Sequence, residues 1–100
     1  MKRDYTFYNE AQNAAFDFMV ATIKDKQISC REDLCFKIKT EDDGSRDIIV
    51  WEEYETEGQP IKSSGFFATE LIAKANALEL SSVIRVENGT PLVRIWNTIL

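Results

Sequence analysis

Hydrophobic and polar positions along this chain follow first a helical period, then a strand period, and then repeat that order. Over residues 7–25, Tyr8, Ala11, Ala15, Phe18, Met19 and Thr22 share one arc of a helical wheel turned at about 100° per residue. Phe16, Val20 and Ile23 widen that arc to about 200°, so this helix is expected to touch more than one neighbour. Thr6 or Asn9 is placed to cap its start, Asn9 with Gln12 at the capping-box spacing. Lys24 and Lys26 stand at the end that favours cations.

From Asp33 the period becomes two. Leu34, Phe36 and Ile38 alternate with Cys35, Lys37 and Lys39, and Asp47 to Glu55 is rich in β-branched and aromatic residues. A loop of Asp42, Asp43 and Gly44, with the glycine left-handed, closes these two segments into a hairpin. That loop sets Ile38 against Ile48, Phe36 against Val50, Cys35 against Trp51, and Lys39 against Asp47 as an opposite-charge pair. Residues 56–65, with glycine, proline and two serines, read as a connection. A second helix over 66–79 gathers Phe67, Ala68, Leu71, Ile72, Ala75 and Leu78 on one arc, with Glu70, Lys74 and Ala77 opposite. Asn88-Gly89 is a type I′ turn signal. It closes a second hairpin, with Ile84 against Val93, Arg85 against Leu92 and Val86 against Pro91.

The expectation is a single α+β domain over residues 1–100, of order αββαββ: a four-stranded, mainly antiparallel sheet with both helices on one face. The order of the strands is not set by local pattern. Alternation assigns Leu34, Phe36, Ile38, Ile48, Val50, Ile84, Val86, Val93 and Ile95 to the helix side, with Glu52 and Tyr54 at its rim. The other side receives Cys35, Lys37, Lys39, Ile49, Trp51, Glu53, Glu55, Val83, Arg85, Leu92, Arg94 and Trp96. The last segment, PLVRIWNTIL, is apolar on both faces up to Leu100, so its strand is expected to be central in the sheet or covered by a partner.

Composition removes several classes of function. The chain is 44% hydrophobic and 29% charged, ordinary for a folded domain. It has no apolar run of membrane-spanning length and no signal-peptide h-region, so a cytoplasmic protein is expected. It contains no histidine, which excludes Ser-His-Asp and Cys-His sites within one chain. Its four glycines are scattered and build no phosphate loop. Cys30 and Cys35 cannot close a zinc site and are expected to be plain thiols; a redox pair is the alternative, though the spacing is not C-x-x-C.

Charge is uneven. Residues 41–57 hold eight acids and one base, a net −7, while the whole chain carries −5. That field repels phosphate backbones, which argues against direct nucleic-acid binding. A row of Glu53, Glu55 and Glu57 raises phosphate mimicry, against the simpler reading of a solvated, aggregation-resistant edge. Glu53 and Glu55 are the only carboxylate pair placed to converge for acid–base work, and Asp42, Asp43 and Asp47 miss the calcium-loop spacing. No catalytic residue, metal site, cofactor or membrane contact is expected.

What remains is a face where aromatics, aliphatics and arginines mix, as they do at interface hot spots; the alternative is that Trp51 and Trp96 pack on each other or under the 56–65 connection, with Arg85 and Arg94 lying over them. The expected function is that of a small protein-binding module, an inhibitor or accessory factor that occupies a partner protein's surface. Small acidic chains of this kind occur among phage and mobile-element accessory factors. The binding residues are Ile49, Trp51, Glu53, Tyr54, Glu55, Arg85, Leu92, Arg94 and Trp96, and the partner has a basic surface. The alternative is a homo-oligomeric assembly subunit, such as a homodimer, built through the same face.

Overall fold

Two tight turns set the register of the sheet in the computed structural model of the chain, which describes residues 3–29, 33–56, 59–61 and 66–100. Gly44 sits at φ 88°, with its N–H donating to Glu41 O at 3.0 Å and the Glu41 N–H to Ser45 O at 2.8 Å. This closes the expected loop between β1 (Leu34–Thr40) and β2 (Arg46–Glu52). Asn88 and Gly89 both take positive φ, 51° and 78°, and close β5 (Ser81–Glu87) onto β6 (Thr90–Trp96). Every expected partner is found: Ile38 with Ile48, Phe36 with Val50, Ile84 with Val93, Arg85 with Leu92.

The fold is α+β in the order expected, and the four-stranded antiparallel sheet runs β1-β2-β6-β5. The closing strand β6 is therefore central, the first of the two readings of its apolar faces. Helices α1 (Thr6–Ser29) and α2 (Phe66–Ala77) cover one side. Between sheet and helices lies a core that holds thirteen of the described residues, among them Phe16, Met19, Ile23, Ile48, Val50, Phe67, Leu71, Val93 and Ile95. None of the helices described is long and apolar enough to cross a membrane.

Several details differ from expectation. β2 stops at Glu52, and Glu53 donates its N–H to Asp33 O at 2.9 Å before the chain leaves the sheet. Part of the expected connection is ordered: β3 (Tyr54–Thr56) and β4 (Gln59–Ile61) form a two-stranded sheet of their own. Pro60 suits such a ribbon, where one side of each strand needs no partner. Glu52 is buried, not at the rim, because β2 is an interior strand facing the helices. Ile38, Ile84 and Val86 are on the expected side yet exposed; they belong to the edge strands β1 and β5, whereas Ile48, Val50, Val93 and Ile95 on the interior strands β2 and β6 are fully buried.

The larger correction concerns α1. It buries Gln12, Phe16, Met19 and Ile23, and leaves Tyr8, Ala11 and Phe18 in solvent. The expected arc was thus displaced by about a quarter-turn. The cap also differs. Asp4 accepts the Thr6 N–H at 2.9 Å, and Tyr5 O takes the first helical bond from Asn9.

Asn9 and Gln12, spaced as a capping box, serve the other end of the chain. Asn9 pairs with both N–H and C=O of Leu100 at 2.9 Å each. Gln12 donates to Glu79 O at 3.0 Å and accepts from the Thr98 N–H at 2.9 Å. Glu79 ends α2 in the left-handed region, φ 59°, with Leu80 N–H bonded to Ala75 O and Glu79 N–H to Asn76 O. That is a Schellman cap without its usual glycine.

Ile48 is fully buried in the middle of this core. Ile48→Asp should unfold the domain, with a loss above about 4 kcal/mol, because a carboxylate there has no partner. Urea denaturation followed by circular dichroism checks it, and wild-type behaviour would contradict the register.

Candidate functional site

The side of the sheet away from the helices has a regular grid, because the three strand pairings share one register. Cys35, Trp51, Leu92 and Arg85 form one row across β1, β2, β6 and β5. Lys37, Ile49, Arg94 and Val83 form the next, and Lys39, Asp47, Trp96 and Ser81 the third. Ile49, Trp51, Leu92, Arg94 and Trp96 are half-buried, while Lys37, Lys39, Val83 and Arg85 are exposed. The hydrophobic patch is thus central, on the two interior strands, with the Asp47–Arg94 pair among it, and the exposed charges lie on the two edges.

Arg94 is the organising side chain. Its Nε and Nη2 donate to Asp47 Oδ2 at 3.0 and 2.9 Å, and its guanidinium lies 4.6 Å from the centre of the Trp96 ring. Asp47 is only 6% exposed, so this ion pair is shielded from solvent screening on its acidic side. The guanidinium fork suits both tasks at once, a carboxylate on its edge and an indole on its face. Lys39 does stand opposite Asp47 in the ladder, but its ammonium goes to Glu41 Oε1 at 3.4 Å. β6 on the other side of β2 supplies the stronger partner, which no reading of the first hairpin alone includes.

The remaining expected residues divide. Trp51 donates its indole N–H to Glu53 Oε2 at 3.2 Å, so this pair stands together at the end of β2. Trp51 and Trp96 do not stack: one row, that of Ile49 and Arg94, lies between theirs. Arg85 turns to Glu87 on its own strand at 3.1 Å. The side chains of Tyr54 and Glu55 lie outside the described residues. Their backbone belongs to β3, which leaves the sheet and does not prolong the Trp51 row. Asp47 was not among the expected site residues; its signal is the Asp47–Arg94 juxtaposition, which needs the strand order.

Not every acid of residues 41–57 stands free in solvent. Asp47 is tied to Arg94, and Glu52 is buried. Asp43 accepts from the Ser45 hydroxyl and N–H at 2.6 and 2.9 Å, and these bonds hold its carboxyl below the usual range. β2 is interior, so its acids guard no edge, and Glu57 lies outside the described residues. Asp42, Asp43 and Asp47 do not converge; among the described residues no group of three His, Cys, Asp or Glu side chains is placed to hold a metal. Cys35 is a free thiol whose Sγ lies 3.6 Å from Asp33 O. Burial, and then the charges of Glu53 and Asp33, push its pKa above the usual thiol value. Cys30 lies outside the described residues.

Comparison with protein-family models, with curated proteins and with solved structures found no match for this chain.

Two outcomes test this geometry. Asp47→Asn should cost about 1–3 kcal/mol, the range for a hydrogen-bonded charge losing its partner, and should alter the near-ultraviolet dichroism of Trp96 as Arg94 is released. Cys35 should alkylate more slowly than a free cysteine at neutral pH. A raised pKa leaves less thiolate at any pH below it, so its rate profile should be displaced to higher pH.

Proposed function

We propose that this protein is a binding module that works by occupying the surface of a partner protein through the open face of its sheet. The observation that carries the reading is the patch of Ile49, Trp51, Leu92 and Trp96, half-buried on a sheet face against which neither helix packs. Antiparallel sheets often leave one face in water, but such faces ordinarily carry threonine, lysine and glutamate. Tryptophan and arginine at the centre of a patch with charges around it are the composition of an interface hot spot. The patch is also preorganised, since the Asp47–Arg94–Trp96 arrangement fixes Trp96 and the neighbouring Arg94 before any partner arrives.

Charge refines the partner. The edges of the face carry Lys37, Lys39 and Arg85, while exposed acids sit at its two ends, Asp42 and Asp43 at the β1–β2 turn and Glu53 beyond β2. These ends suit a partner with an apolar centre and basic flanks, and they steer its approach.

Trp51→Ala and Trp96→Ala tested separately should keep the far-ultraviolet spectrum and the cooperative melt of the wild type. In affinity capture from the source cell, each should lose a partner that the wild type retains, and moderate salt should weaken that capture. A Trp51→Ala variant that unfolds would make the residue a core element and remove the basis of the proposal.

A further inference from the structure

We propose that the outer face of α1 is a second interface, occupied by α1 of another copy of this chain in antiparallel orientation. The helix has 24 residues, about 36 Å of length. Its sheet-facing side is Gln12, Phe16, Met19 and Ile23. On the opposite side, Phe7, Ala11, Ala14, Phe18, Ala21, Asp25 and Ile28 recur at alternating steps of four and three, the spacing of a coiled-coil seam. All seven are exposed, and the large ones strongly so: Phe7 84%, Phe18 63% and Ile28 81%. An ordinary outer face of a surface helix is polar at these positions. Six of seven here are apolar, which is why the wheel is apolar over more than one sector.

A second copy fits this stripe by size and by charge. In a parallel pair each position meets itself, so phenylalanine crowds phenylalanine, alanine leaves a gap at alanine, and Asp25 faces its own copy. In an antiparallel pair with Phe18 against the partner's Ala14, large meets small on both sides of the two-fold axis, Ala11 meets the partner's Ala21, and Asp25 lies beside the partner's Phe7 at the end of the seam instead of facing its own copy. The alanines let the helix axes approach to about 8 Å, the close end of the packing range.

One flank of the stripe carries Glu10, Asp17 and Lys24. The same antiparallel alignment brings Glu10 alongside the partner's Lys24, twice by symmetry. Near the two-fold axis Asp17 meets its copy, and each Asp17 already has a cation, Arg46 Nη2 at 2.8 Å.

The area is sufficient. A phenylalanine offers about 150–250 Å², so Phe7 and Phe18 contribute on the order of 300 Å² from each protomer. Ile28, the alanines and the flanking stems bring the total to about the 1,000 Å² that a specific interface needs.

Sedimentation of the full chain over a range of concentrations reads the result directly. A reversible dimer with a midpoint in the micromolar range is expected. Phe18→Glu, at an exposed position, should keep the helical spectrum and weaken dimerisation about 100-fold or more, as loss of a hot-spot aromatic does. Glu10→Lys and Lys24→Glu should each weaken it about three- to tenfold, and an equimolar mixture of those two variants should recover a heterodimer. A wild type that stays monomeric overturns the proposal, including one that binds phospholipid vesicles instead. So does a dimer lost on Trp51→Ala and unaffected by Phe18→Glu. A dimer that needs Phe18 but ignores both charge reversals overturns the antiparallel arrangement.

Discussion

The pairing of β2 with β6 is the contact on which the rest of the molecule depends. Each hairpin closes on itself through a local turn, but a two-stranded hairpin is at best marginally stable in water. Ile48 against Ile95 and Val50 against Val93 join the two hairpins, and all four residues are fully buried. The join continues past the strand end. Buried Asn97 accepts the Arg46 N–H at 2.8 Å through its side chain and donates to Asn13 on α1 at 2.9 Å. One non-local pairing thus makes the floor for both helices, and on the opposite side it places Arg94 beside Asp47. The same contact is responsible for the core and for the shape of the open face.

This explains which features were legible in the residues. Turn chemistry and alternation are local, so Asp42-Asp43-Gly44 and Asn88-Gly89 were enough to assign every pair in both hairpins and the side on which each residue lies. Strand order is not local, and with it were hidden the burial of Glu52, the exposure of Ile38, Ile84 and Val86 at the edges, and the Asp47–Arg94–Trp96 arrangement. The nine expected binding residues were correctly sided where their side chains are described. Which of them act together was not readable, because Trp51 with Glu53 and Arg94 with Trp96 are groupings that depend on neighbouring strands and on rotamers. The two-stranded ribbon of β3 and β4 was missed for a different reason: three-residue strands carry too little alternation to stand out from a glycine- and proline-containing connection.

α1 was misread because its wheel contains two apolar sectors, and a wheel does not say which one meets the sheet. The choice is made by polar groups. Asn9, Gln12 and Asn13 bind the backbone and side chains of residues 79 and 97–100, and Gln27 donates to Leu34 O at 2.6 Å. These amides satisfy groups that no strand partner can reach, and for the part-buried ones an unpaired group would cost about 1–3 kcal/mol. They rotate the helix until Phe16, Met19 and Ile23 point inward. Phe7, Phe18 and Ile28 are then directed outward by the same rotation. A sector that reads as surplus core in the sequence is the consequence of a polar clamp at the helix's first half.

The two surfaces therefore differ in origin and point in opposite directions. The sheet lies between them: its open face looks one way, and the outer stripe of α1 looks the other, across the helical layer. A pair of chains joined through α1 would hold its two open faces outward and antiparallel, with neither blocked by the pairing. On the two proposals taken together, such an arrangement would bind two sites on one assembly, or two neighbouring copies of a partner, with an effective concentration set by a rigid spacing and not by a linker. Each face alone could then be modest in area, as a sheet of four seven-residue strands must be, and the pair would still hold a repeating target. Arg46 adjoins both surfaces: its guanidinium lies 4.5 Å from the Phe16 ring centre and pairs with Asp17 beside the stripe. Its backbone starts β2, one residue from Asp47. A substitution at Arg46 touches both surfaces, whereas changes at Phe18 or Trp51 separate them.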